Sequence, residues 1–236
     1  MSGTIETTNI QTENIKHTNG TTAATVGSNG ELTVNGETTL ATHLNMGDAD
    51  RIKLGTGSDL QIYHDGTDSL ITNATNSLKL DSNAGTSIKI DAFGHVTKPL
   101  QPAFLAKRNS TATNLATNSL LSFATERFDQ NGDFSGDTFT APETGRYQLN
   151  FITRIDQIDR DSNWVRFTLV TSNQTVEANI IDPGVFGSDP SYWHFTIAYL
   201  ADMDQGDTAQ IKFQYDGGSQ IADISGHSYF SGYLAC

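Results

Sequence analysis

The chain has 236 residues, 36% of them hydrophobic and 17% charged, and a formal net charge of −13. With 14 Lys and Arg against 27 Asp and Glu and no basic run, it offers few cations to neutralise a nucleic-acid backbone or an anionic bilayer; nucleic-acid partners are not expected. Acidity of this size keeps a long-lived assembly soluble.

Aromatic residues divide the chain: of 12 Phe, 7 Tyr and 2 Trp, only Tyr63 and Phe93 fall in the first hundred residues. Only the second part looks able to bury a large core by itself. Residues 1–50 open with MSGTIETTNIQTENIK, which has no apolar signal core, and no later stretch approaches a membrane span, so neither ordinary export nor membrane insertion is expected. Weak alternation through Ile5, Ile10 and Ile15 marks an N-terminal anchor or assembly segment that gains order on docking. TVGSNGELTV at 25–34 reads as a short β-hairpin turning at Gly30, and KIDAFGHVTK at 89–98 echoes it at Gly94.

Residues 51–98 carry a repeat. RIKL, DLQI, SLIT, SLKL and SIKI start at positions 51, 59, 69, 77 and 87, each with apolar side chains at alternate positions and with Gly, Asn and Asp between them. One such strand offers too little apolar surface to fold alone. Stacking of successive strands, and of three chains, is the physical remedy, which predicts a slender trimeric shaft of β-prism or β-helix-like form. The prolines at 99 and 102 bracket a linker over 99–101.

From 102 to 236 strand-like runs lie around 102–107, 118–124, 145–155, 163–170, 192–200, 207–215 and 227–234, joined by turn-forming segments. Seven or more strands of non-local spacing predict a sandwich or jelly-roll head, so that the whole chain is all-β. Phe104, Phe123, Phe139, Tyr147, Phe151, Phe230 and Leu234 are its candidates for core or trimer axis. Loops of such a head are natural contact surfaces. In PGVFGSDPSYWH at 183–194, Phe186, Tyr192 and Trp193 present aromatic surface, and Asp189, with Asp182, supplies acceptors; core or interchain packing is the competing reading for the aromatics.

Catalytic chemistry finds little footing. Asp156 lies near Asp159 and Asp161, and Asp202 near Asp204 and Asp207, but thirteen Asp residues in the head make accidental pairs easy, and glycoside hydrolysis needs a defined separation across one sugar. His43, His64, His95, His194 and His227 are dispersed without metal-ligand spacing, and His64 in IYHDG reads as closing a repeat turn. No enzyme activity and no cofactor are expected. DMDQGD at 202–207 and QIDRDSN at 157–163 gather oxygen donors suited to calcium without the spaced hand-type loop. Cys236, the only cysteine and last residue, excludes a disulfide within the chain and reads as a bystander.

The head resembles the C1q and tumour-necrosis-factor-like family. The matching order is Ala103-Phe104, Leu121 to Phe123, Asn131-Gly132, FTAPETGRY from Phe139 to Tyr147 leading into Leu149 and Phe151, Gly206-Asp207, and YFSGYL from Tyr229 to Leu234. The resemblance implies a ten-stranded jelly roll forming compact homotrimers, in some members with calcium near the trimer apex. The collagen stalk common in that family is missing, since there is no Gly-X-Y repeat.

NMGDADRIKLGTGSDLQIYHDGTDSLI at 45–71 and NIKHTNGTTAATVGSNGELTV at 14–34 resemble segments of tailed-bacteriophage fibres and virion-surface proteins. That likeness implies a virion-surface location after assembly in the host cytoplasm. It also implies docking to other virion proteins through residues 1–50, and attachment of the head to host-surface polysaccharide or protein. A capsid-attached fibre or decoration protein and a polysaccharide-degrading tailspike are the alternatives within it; a cellular secreted C1q-like protein stands further off.

Overall fold

The structure is a computed structural model that describes residues 14–16, 19–219 and 222–236. Ile5 and Ile10 of the expected anchor lie outside the described residues. The chain divides into two compact units, Met1–Ala74 and Thr75–Cys236. The division falls inside the stretch that the sequence treats as one repeat.

The first unit contains β1 (Asn14–Lys16), β2 (Thr22–Val26) and β3 (Leu32–Val34), paired as one antiparallel meander, and β4 (Ile52–Leu54), β5 (Leu60–His64) and β6 (Ser69–Asn73), paired as another. The second unit begins with a third meander, β7 (Leu78–Ser82), β8 (Gly85–Ile90) and β9 (Val96–Thr97). All five repeat segments lie in these strands. They do not coil as a β-helix within one chain, because tight turns of Gly, Asn and Asp reverse the strand every few residues and favour local antiparallel pairing.

The two echoing hairpins close alike. Gly27 N–H donates to Glu31 O (2.8 Å) and Gly30 N–H to Gly27 O (3.0 Å), while Asp91 N–H donates to His95 O (3.0 Å) and Gly94 N–H to Asp91 O (3.1 Å). Gly30 and Gly94 both have φ of 85°, the left-handed conformation that ends a three-residue hairpin loop and that glycine adopts without strain.

The remainder of the second unit comprises β10 (Ala103–Lys107), β11 (Ser119–Leu120), β12 (Thr125–Asp129), β13 (Phe134–Ser135), β14 (Thr138–Thr140), β15 (Gly145–Asp156), β16 (Ser162–Thr171), β17 (Thr175–Ile181), a 3-10 turn (Pro183–Val185), β18 (Tyr192–Met203), β19 (Thr208–Gly217), β20 (Asp223–Ile224) and β21 (Tyr229–Leu234). They form two antiparallel sheets, one ordered β12-β10-β21-β15-β18 with β20 on β15, the other β13-β14-β19-β16-β17 with β11 on β19. With β10, β14 to β19 and β21 counted as eight principal strands, the sheets run first-eighth-third-sixth and second-seventh-fourth-fifth. That crossing pattern is a jelly roll.

The core lies between the sheets. Strand β15 buries Tyr147, Leu149, Phe151, Thr153 and Ile155 at alternate positions, the signature of a strand with one covered face. Phe104 stacks on Phe139 across the gap (centroids 4.8 Å), and Phe167 meets Phe151 at 5.1 Å and Phe195 at 5.0 Å. Five strands, β12, β13, β14, β17 and β20, lie outside the runs that the sequence marks; β13, β14 and β20 have only two or three residues each, too few to show alternation. In β17 the pairing shifts register opposite Phe167 and Thr168, so the alternation of its apolar residues changes phase; β12 shows half-exposed Phe128 as its one large apolar residue.

The segment before the head is clamped rather than free. Gln130 Nε2 donates to Lys98 O (3.0 Å) and Gln101 O (2.7 Å), Asn131 Nδ2 to Leu100 O (3.0 Å), and Gln101 Nε2 to Leu234 O.

Candidate functional site

Pairing register gathers five apolar side chains on one face of each meander; the other face is polar in the first and third, and in the second also carries Leu70 opposite Tyr63. In the first, Ile15, Ala24 and Val34 align in a row beside Val26 and Leu32, while Asn14, Thr25 and Thr33 face the other way. In the second, Ile52, Ile62 and Ile71 form a row beside Leu54 and Leu60; the opposite face carries Arg51, whose guanidinium lies 4.0 Å above the Tyr63 ring and bonds Gln61 Oε1 (2.7 Å). In the third, Leu78, Ile90 and Val96 align beside Leu80 and Ile88. Nothing described in the chain fully covers these faces: Ile15, Leu32, Ile71, Leu80 and Val96 are 53–63% exposed.

The head has a comparable surface on the outside of the first sheet. Three rows cross it: Lys107, Tyr229, Ile152 and Thr196; Phe128, Leu105, Ser231, Asn150 and Ala198; and Ala103, Tyr233, Gln148 and Leu200. Phe128, Ile152, Leu200 and Tyr233 are 44–51% exposed, large apolar side chains interspersed with the uncharged Ser231, Asn150 and Gln148.

Of the residues named as core or trimer axis, Phe104, Phe123, Phe139, Tyr147, Phe151 and Phe230 are buried between the sheets, and Leu234 packs against that core from its edge. The outward-facing Leu105, Phe128, Ile152, Leu200 and Tyr233 went unnamed. Alternation would have found them, since each sits one position out of phase with a buried neighbour or opposite such a residue.

The loop candidates come together only in part. The Phe186 ring, just past the 3-10 turn, lies against Trp193 (centroids 5.2 Å, tilted 58°). Tyr192 is the next residue of an extended strand and so points to the other side, opposite Asp156 in the register. Tyr192, Trp193 and His194 line a shallow depression of about 350 Å³. Asp189 is engaged within the fold: its Oδ1 accepts from Arg160 N–H (3.0 Å), and Arg160 Nη1 donates to Gly187 O (2.9 Å). Asp182 caps the turn by accepting from Gly184 N–H (2.9 Å).

The acidic loops are likewise occupied with their own backbone. Asp207 Oδ2 accepts from Asp204 N–H (2.9 Å) and Asn173 Nδ2 (2.6 Å). Asp159 accepts from Ser219 N–H and from Asp161 N–H (2.9 Å); bonding to Ser219 chiefly, then the Asp161 amide, holds its carboxyl below the usual range. Asp156 pairs with Arg154 (2.7 Å). Among the described residues no group of three or more His, Cys, Asp or Glu is placed to hold a metal ion. His64 closes its turn, with Nδ1 accepting from Gly66 N–H (3.0 Å).

One acid stands out on physical grounds. Burial, and next the charge of Asp129, push the Asp133 carboxyl above its ordinary value, and its Oδ2 is buried without a partner. A raised folded-state pKa stabilises the fold below the unfolded value of 3.8, and that contribution is lost as pH rises through the folded value. Asp133→Asn is therefore expected to raise the melting temperature at pH 7, by roughly 2–4 °C, and to change little near pH 3. Thermal melts at the two pH values check this.

At the root of the third meander a cavity of about 490 Å³ opens between Ser87 and Lys98 on one side and Leu100, Pro102, Pro142 and Leu234 on the other, with Cys236 at its rim.

No family model matches the chain, and no curated protein matches it. Among solved structures the globular domain of the zebrafish complement 1qA protein is similar to it, with 20% identity over 58% of this chain and 98% of that one, at a TM-score of 0.44.

Proposed function

We propose that the protein is a homotrimeric fibre of a tailed-phage virion, non-enzymatic, with a β-prism shaft and a jelly-roll head that attaches to the host surface. The observation that carries the reading is the set of amphipathic meanders. Each holds five apolar side chains on one face, a surface too large to leave in water and too small to fold on alone. Three copies turned inward about an axis cover all three faces at once and leave the polar faces outside. The outer face of the head sheet supplies the same kind of surface at the other end of the sequence. Attachment then follows from three identical heads engaging together, each contact weak by itself.

The purified full chain is expected to elute with three times its 25.5 kDa mass by light scattering; one or two times that mass overturns the three-fold reading. Incubating host cells with the pure protein is expected to lower adsorption of the corresponding particles at least several-fold. Unchanged adsorption removes the attachment role, and gold-labelled antibody on the capsid rather than the tail would favour the decoration alternative.

A further inference from the structure

The echoing hairpins differ at one telling position. The tip that carries Asn29 in the first carries Phe93 in the second, and Phe93 is 87% exposed. Asn suits the tip of such a loop and Phe does not, so turn chemistry gives no reason for the ring. The loop that carries it is braced nonetheless: Asp91 Oδ1 accepts from Phe93 N–H (2.8 Å) and His95 N–H (2.9 Å), while Asp91 Oδ2 meets His95 Nδ1 (2.9 Å). A backbone braced in this way loses little freedom on docking.

The cavity at the hairpin's root offers the complementary shape. Its lining is mixed: Ser87, Lys98 and Glu143 are polar, the amides of Gln101 and Asn131 are already bonded to Leu234 O and Leu100 O, and Leu100, Pro102, Pro142 and Leu234 contribute apolar surface. An aromatic ring finds in those four side chains the apolar contact it lacks on its own hairpin. Phe93 does not line the cavity of its own chain. A knob and a hole at separate places on one subunit make a head-to-tail contact, which closes into a ring under three-fold rotation.

We propose that the Phe93 ring of each chain seats in the cavity beside Cys236 of the neighbouring chain, locking the hairpin to the next head. This rests on the trimeric reading given above. The test uses the full chain with Phe93→Cys, mildly oxidised. The expected result is a covalent trimer on a non-reducing gel, with the introduced thiol mapped by mass spectrometry to Cys236 of another chain. In parallel, Cys236 of the wild-type trimer is expected to react with a maleimide at least tenfold more slowly than in Phe93→Ala. A trimeric mass with neither the cross-link nor the protection overturns the seating while leaving the trimer intact. A monomeric wild-type mass overturns both.

Discussion

Ile152→Asp is expected to release single chains of 25.5 kDa from the proposed trimer. Ile152 lies on the outer face of the first sheet, between Tyr229 and Thr196, on a strand whose alternate residues are buried in the head. In an isolated chain the new carboxylate is hydrated, and the loss of β propensity costs no more than about 1 kcal/mol. In a packed interface it would be desolvated without a partner at each subunit contact, a cost of several kcal/mol apiece. Association is expected to weaken at least a hundredfold. Sedimentation across a concentration series reads it, with near-ultraviolet circular dichroism to show that the head stays folded. Ile152→Val, which keeps the apolar surface, is expected to stay trimeric. A trimer that survives the Asp substitution would mean that this face points to solvent.

Phe167→Ala carries the second large effect. Phe167 is fully buried, and its ring meets Phe151 and Phe195 of the opposite sheet and Phe213 of its own at 5.3 Å. Truncating a ring so enclosed removes its transfer free energy and leaves a cavity that paired sheets cannot readily close, together about 3–5 kcal/mol. Against a typical domain stability of about 5–15 kcal/mol this brings the head close to unfolding. Because the proposed assembly would add stability by mass action, the comparison belongs in the Ile152→Asp background, by urea titration at fixed protein concentration. Phe128→Ala, from a half-exposed position, is expected to change that midpoint little. A loss below about 1 kcal/mol for Phe167→Ala would show that the two sheets do not interdigitate there.

What sequence made legible was whatever alternation and turn chemistry encode. The long strands β15, β16, β18 and β19 were visible because apolar residues recur at every second position, and the hairpins ending at Gly30 and Gly94 because their turns require a left-handed residue. Register was not legible. The row of Ile52, Ile62 and Ile71 depends on which residues sit opposite across a turn, and the change of phase in β17 depends on a bulge that its partner strand imposes. Phe104 and Phe128 look alike in sequence, yet one faces the core and the other lies on the outer surface of the neighbouring strand. Asp189 was read as a free acceptor because its partner, the Arg160 amide, is remote in sequence and reaches it only through the fold.

The pairing of β10 with β21 sets an order on biosynthesis. Ala103 opposes Tyr233, so the head sheet has a gap at its centre until the last strand has left the ribosome, whereas each meander pairs strands only a few residues apart. Local hairpins form in microseconds and far-separated strands much later, since closing a long loop precedes any reward from contact. The nascent chain thus exhibits finished meanders with bare apolar faces while its head is still open. A polysome carrying several such chains brings those faces together at high local concentration, and for the trimer proposed above the slow closure of the head becomes the step that decides whether chains leave in register or tangled.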